Sequence, residues 1–203
     1  WNGKWFCDNA VRQKDGTLKL SGECTETCQY YAFYFRTATP RTHPELWKTL
    51  VEDFGPKRIK TKKHPGIWPS NAFIGNYLRL ECLSREGLSA NILDETRGFF
   101  LYMADMTGTL WENIGTSASC NHGFASHVAV TYRRDILGLR EIDYVNRTVR
   151  FDPPENLPLD SISMEIPVEG SAPIRAGWSR TGGRINEVLD LPVGWKRLEN
   201  GRR

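Results

Sequence analysis

Apolar side chains recur along this 203-residue chain in two different rhythms, and the change falls near residue 140. Before it the spacing is helical. Residues 25–37 read as a first helix and residues 44–54 as a second, with Pro44 suited to an opening turn after Thr42. A third follows Ser70 as N-cap, with Phe73, Tyr77 and Leu80 on one stripe and Ile74 and Leu78 beside it. The fourth, residues 88–105, repeats Leu88, Ile92, Phe99 and Met103; the fifth, roughly residues 120–139, carries Val128, Tyr132, Ile136 and Leu139. Connections of unequal length between them predict antiparallel helical hairpins.

Beyond about Arg140 the period is two. Ile162, Met164 and Ile166 alternate with polar neighbours, and Ile185, Leu189 and Leu191 do the same apart from Glu187. Asn146-Arg147 sits as a hairpin turn between DYV and TVRF, while Pro153-Pro154 and Gly182-Gly183 mark further loops. The expected fold is therefore α plus β: a helical domain over residues 1–140 and a small antiparallel β-domain over residues 141–203. Asn146-Arg147-Thr148 is also a glycosylation sequon, although a turn role explains the Asn without it.

The richest chemistry lies in residues 107–127, TGTLWENIGTSASCNHGFASH, with one carboxylate, one indole and two imidazoles among small polar residues and glycine turns. Gly108 and Gly115 let the backbone approach a ligand closely. Trp111 beside Glu112 is what sugar chemistry asks for: a flat apolar face for C–H groups and an acid for protons or hydroxyls. A helix entry with Glu112 solvated and His122 satisfied in the core accounts for the same residues. Trp111 serves equally as packing beneath the loop or as a platform, and Trp68, in GIWPSN, is a second platform candidate.

Composition narrows the partners. The net charge of +3, from 27 basic and 24 acidic side chains, creates no field to steer a polyanion, so nucleic acid is not an expected partner. The basic run KRIKTKK at residues 57–63 reads as a solvated loop between helices. Five cysteines without CxxC spacing imply no disulfide framework, and scattered histidines give no support to a metal site; no cofactor is expected. No stretch is long and apolar enough to span a bilayer, so no membrane partner is expected either. The chain begins at Trp1 with neither an initiator methionine nor a signal-like segment, and reads as a cut piece.

Four ordered blocks, SGECTETCQYYAFYF (residues 21–35), PSNAFIGNYLRLECL (69–83), FFLYMADMTGTLWEN (99–113) and SCNHGFASH (119–127), resemble the C-terminal part of bacterial α-L-rhamnosidases, glycoside hydrolase family seventy-eight. The tail SAPIRAGWSRTGGRINEVLDLPVG is similar to the small β-domain that closes those enzymes. The resemblance implies that the helices are the last arc of an α/α toroid, followed by a β-sandwich. It also implies hydrolysis of terminal α-L-rhamnosides with inversion, which needs an acid and a base roughly 6.5–9.5 Å apart. Glu112 matches the family's general base, and His122 a hydrogen bond to a rhamnose hydroxyl. The general acid would lie upstream of Trp1, so the implied partners are rhamnose-containing glycosides and the preceding part of the same polypeptide.

The other acids have ordinary readings. Glu23 and Glu26 fall at the start of the first helix, where they favour its dipole, and Glu81 and Glu95 are mid-helix, where a solvated acid is the ordinary reading and a cleft-facing role the alternative. Trp178 and Trp195 are expected to pack the β-domain against the helices, as a structural cap. The chain departs from the family where it ends in KRLENGRR, without the one or two further strands that follow there; an unpaired final strand is the expected consequence. Two other classes stay open: a lyase or phosphorylase on the same toroid, and a non-catalytic fragment that binds sugar or nothing.

Overall fold

The computed structural model describes residues 1–71, 73–113 and 115–199. Helices and antiparallel sheets are both present, as the two rhythms predict, and packing divides the chain into two compact units. The first comprises Trp1–Glu86 and Asp94–His127, the second Gly87–Leu93 and Val128–Arg203. The division in space therefore falls at residue 127, not at residue 140, and the opening of the fourth helical segment belongs with the sheets.

The first unit opens with a hairpin, β1 (Ala10–Arg12) and β2 (Leu18–Leu20), in the register Ala10↔Leu20. Asp15-Gly16 makes its turn: Gly16 takes φ +85°, and the Asp15 carboxylate accepts bonds from the Thr17 N–H and hydroxyl at 3.0 and 2.7 Å. Helix α1 (Glu26–Tyr34) starts at Thr25, whose hydroxyl accepts the Cys28 N–H at 3.0 Å, and α2 (Pro44–Glu52) starts at its proline. A four-residue turn, α3 (Arg58–Thr61), follows, then α4 (Ile74–Arg85). The predicted 88–105 helix is three joined segments: α5 (Ser89–Glu95), a π-helical turn Thr96–Phe100 containing Gly98, and α6 (Leu101–Thr107), which ends at Gly108 in the left-handed region.

The core of this unit gathers Tyr30 and Phe33 of α1, Leu46 and Leu50 of α2, Leu78 and Cys82 of α4, with Phe54 and Ile67 from the connections. Two ion pairs run through it. The Glu26 carboxylate, buried, takes Arg58 Nη1 at 2.5 Å, the Tyr30 hydroxyl at 2.7 Å, the Gly55 N–H at 3.2 Å and the Ser70 hydroxyl at 3.3 Å. Arg58 in turn donates to the carbonyls of Lys63, His64 and Ile67. Arg79 grips Glu95 through Nε at 2.9 Å and Nη2 at 2.6 Å and donates to the carbonyls of Leu50 and Val51. Burial opposes the Arg79 charge, but Glu95 overcomes it and holds the guanidinium above its usual range; burial and the Glu26 charge push the Tyr30 phenol well up.

These pairs correct three expectations. Glu26 does not simply complement a helix dipole, Glu95 is not a solvated helical acid, and the basic run at residues 57–63 is not wholly solvated, because Arg58 is buried on Glu26. Lys57 and Lys63 of that run do face solvent, paired with Asp94 and Asp53.

In the second unit the predicted 120–139 helix shrinks to α7 (Val128–Thr131) and a π-helical turn Tyr132–Ile136. Gly138 ends it. Its φ of +89° and the Asp152 carbonyl, which a Cβ would meet at 2.4 Å, leave room for glycine alone, so Leu139 opens a strand instead of closing a helix. The strands β3 (Leu139–Asp143) and β4 (Thr148–Phe151) form the predicted hairpin, and β5 (Ser161–Ile166), β6 (Ile174–Thr181) and β7 (Arg184–Asp190) form an antiparallel sheet with β6 central. The last strand, β8 (Lys196–Arg197), is not unpaired as expected: it runs parallel to β4, Thr148↔Lys196. Arg197 then reaches Glu187 of β7 at 2.6 Å and the Phe151 carbonyl at 2.7 Å.

Trp178 on β6 is buried, with its indole N–H donating to the Ile136 carbonyl at 3.3 Å, as a packing residue should be. Trp195 is half-buried and meets Tyr144 edge to face at 5.6 Å, so it packs on the β3–β4 turn.

Two outcomes follow from this packing. Glu26→Ala leaves the Arg58 guanidinium buried without its counter-ion and should cost about 3–5 kcal/mol in urea unfolding, whereas replacing both, Glu26→Leu with Arg58→Met, should recover much of that loss. Trp178→Ala opens a large cavity in the second unit and should destabilise it by about 3–5 kcal/mol, read as an earlier thermal transition.

Candidate functional site

The 107–127 loop folds back on itself through a short neck. The His122 N–H donates to the Leu110 carbonyl at 2.8 Å and the Glu112 N–H to the Ser119 carbonyl at 2.9 Å, while the Thr109 hydroxyl bonds the Cys120 carbonyl. Glu112 and His122, ten positions apart in sequence, are thereby held on facing strands of one neck. After it, residues Gly123–His127 wind into a 3-10 turn.

Helix α4 supplies the floor. Phe73, its N-cap, stacks on the His122 ring with centroids 4.5 Å apart and 16° between planes; one turn on, Tyr77 meets His127 edge to face at 4.0 Å; one further turn on, Glu81 Oε1 lies 2.8 Å from His127 Nε2. Positions 73, 77 and 81 are a single helical stripe, and it grips both ends of the 122–127 turn. The stripe of Phe73 and Tyr77 is visible in the sequence; that Glu81 continues it onto a histidine is not. Glu81 is accordingly a clamp on His127 and not a solvated helical acid.

The named residues separate in role. Trp111 is 1% exposed, with its indole N–H donating to the Thr107 hydroxyl at 2.7 Å and its edge against Tyr102. No ring face is left for a ligand, and the platform expectation for Trp111 is corrected to packing beneath the loop. Trp68 is 65% exposed and its N–H donates to Glu23 Oε2 at 3.0 Å, so this acid steadies an indole, not a helix dipole. Phe124, 72% exposed, stacks on Phe73 at 5.9 Å and was not singled out by sequence, since a lone Phe in a polar loop carries no period.

Glu112 and His122 are half-buried. Among the described residues no side chain hydrogen-bonds the Glu112 carboxylate, and the buried Nδ1 of His122 has no partner. A half-buried carboxylate with no side-chain partner can accept a proton, and an imidazole between the rings of Phe73 and Phe124, carried by the same neck, can bond a hydroxyl. Comparison with protein-family models, curated proteins and solved structures finds no match. Among the described residues no cluster of His, Cys, Asp or Glu could hold a metal ion, and no helix is long and apolar enough to cross a membrane.

The clamp makes a direct test. Glu81→Ala removes the carboxylate end of the His127 contact and should weaken the loop locally by about 1–3 kcal/mol. Hydrogen exchange at the His122 and Ala125 amides should quicken, while α1 amides such as Ala32 stay protected. Unchanged exchange at His122 would show that the neck holds without the Glu81 contact.

Proposed function

We propose that the 107–127 loop and α4 form part of the sugar cleft of a glycoside hydrolase that releases terminal α-L-rhamnose with inversion. One observation carries the reading: Glu112, the acid that matches the family's general base, is the acid of the loop whose carboxylate has no side-chain partner among the described residues, and it shares a neck with His122. A base must keep its lone pairs for the attacking water. Glu23, Glu26, Glu81 and Glu95 are each engaged elsewhere. Exposed Trp68 and Phe124 offer aromatic faces of the kind that pack on sugar C–H groups.

On this reading the helices of the first unit are an arc of an α/α toroid and the two sheets are a capping β-sandwich. Leu101, Tyr102 and Met106 of α6, each more than half exposed, are what such an arc presents to neighbouring helices. The general acid belongs to a segment preceding Trp1.

The test is turnover of an aryl α-L-rhamnoside by the longest natural polypeptide that contains these residues. Glu112→Gln should lower kcat by about 10²–10⁴-fold with little change in KM, the contribution of a positioned base. His122→Ala should raise KM as well as lower kcat, because a bond to a sugar hydroxyl is felt before and during reaction. The first-formed sugar should be the β-anomer. Near-normal turnover of Glu112→Gln eliminates this base, and absence of any rhamnosidase activity in the parent polypeptide eliminates the reading.

A further inference from the structure

Cys7 and Cys24 stand at the open end of the β1–β2 hairpin, directly across from one another. The ladder from Ala10↔Leu20 continues outward through the Ser21 N–H to the Asn9 carbonyl at 3.1 Å and the Asp8 N–H to the Glu23 carbonyl at 2.9 Å, and the next positions are the two cysteines. Their sulfurs are 3.8 Å apart, in contact but unbonded. Both flanks are fixed: the Phe6 N–H and carbonyl are bonded to the Gln29 side chain at 2.9 and 2.8 Å, and the Cys24 carbonyl accepts the Trp68 N–H at 2.9 Å.

We propose that Cys7 and Cys24 are a reversible dithiol–disulfide pair that staples the base of the hairpin under oxidising conditions. The hairpin has reason to need one, since all six residues of β1 and β2 are exposed and a two-stranded ribbon without a packed face is marginal in water. Cys7, half-buried, is the accessible thiol, whereas Cys24 is 2% exposed and burial raises its pKa. The order of attack follows. With glutathione disulfide as oxidant, the Cys7 thiolate attacks one of its sulfurs and expels glutathione thiolate. The Cys24 thiolate then attacks the Cys7 sulfur and expels the second. Two protein thiols are oxidised, one glutathione disulfide is reduced to two thiols, and the two protons lost by the cysteines pass to the two leaving thiolates.

Cys28 is the competitor to exclude, because its sulfur lies 3.5 Å from the Cys7 carbonyl oxygen. The folded 203-residue chain is incubated with glutathione disulfide, free thiols are blocked, and the product is weighed intact and mapped by digestion without reductant. The expected product has lost the mass of two hydrogen atoms, yields a Cys7–Cys24 cross-linked peptide, unfolds at a higher temperature than the reduced form, and reverts with dithiothreitol. Cys28→Ser should close the same bond. Cys24→Ser should stop at a mixed disulfide of Cys7 with glutathione; should that variant not fold, Cys7→Ser at the half-exposed position must likewise give no internal bond. A Cys7–Cys28 peptide, or glutathione adducts alone on the parent chain, overturns the proposal.

Discussion

The buried carboxylate of Glu26 organises the first unit. It stands at the first turn of α1, yet its partners come from a connection 29 to 44 positions downstream: the Gly55 N–H, the Arg58 guanidinium and the Ser70 hydroxyl. Arg58 passes the constraint on to the carbonyls of Lys63, His64 and Ile67. The connection of 21 residues between α2 and α4, which would otherwise carry unsatisfied polar backbone, is thus wound around two opposite charges. Ser70 is fixed near its end, and α4 begins four residues later. The Arg79–Glu95 pair then ties α4 to α5 and to the C-terminal carbonyls of α2.

The site inherits this order. Because the buried Arg79–Glu95 pair anchors α4, its Phe73–Tyr77–Glu81 stripe is an anchored rail on which the 122–127 turn rests. Glycine at 75 permits the close start: a Cβ there would meet the Ser70 Cβ at 2.1 Å. A larger residue would push apart the Glu26 network and the rail together, so packing and the proposed chemistry depend on the same few atoms.

What the sequence reveals and what it hides follow one physical line. Signals that act locally are legible: Thr25 and Pro44 mark helix starts to the residue, and the alternation of Ile162, Met164 and Ile166 reappears in β5. Features that depend on a distant partner are not. The β1–β2 hairpin is exposed on both faces and so has no alternation to read, although Asp15-Gly16 marks its turn. Arg58 in a run of lysines looks solvated until Glu26 is brought to it, and Leu139 completes a helical stripe until the close approach of Asp152 to Gly138 ends the helix. Of the loop, the presence of Glu112 and His122 on one glycine-flanked segment is readable, but the inward turn of Trp111 is not, since an indole suits a core and a cleft equally.

That inward turn bears on the chemistry. A Trp exposed beside Glu112 would have offered binding surface at the cost of a mobile loop; buried and bonded to Thr107, it roots the neck, so that Glu112 leaves the surface from a fixed backbone. On the proposed function, a base carried by a rooted backbone would gain from that restraint, because less of the chain need be ordered when water attacks. On the proposed function, one base would still be only half of an inverting pair. Glu23, Glu26, Glu81 and Glu95 are spent on Trp68, Arg58, His127 and Arg79, and diverting any of them to proton donation would break a contact on which the fold or the loop rests. Those engagements accord with the division of labour proposed for this site, a base on a rooted loop with its acid supplied from another segment.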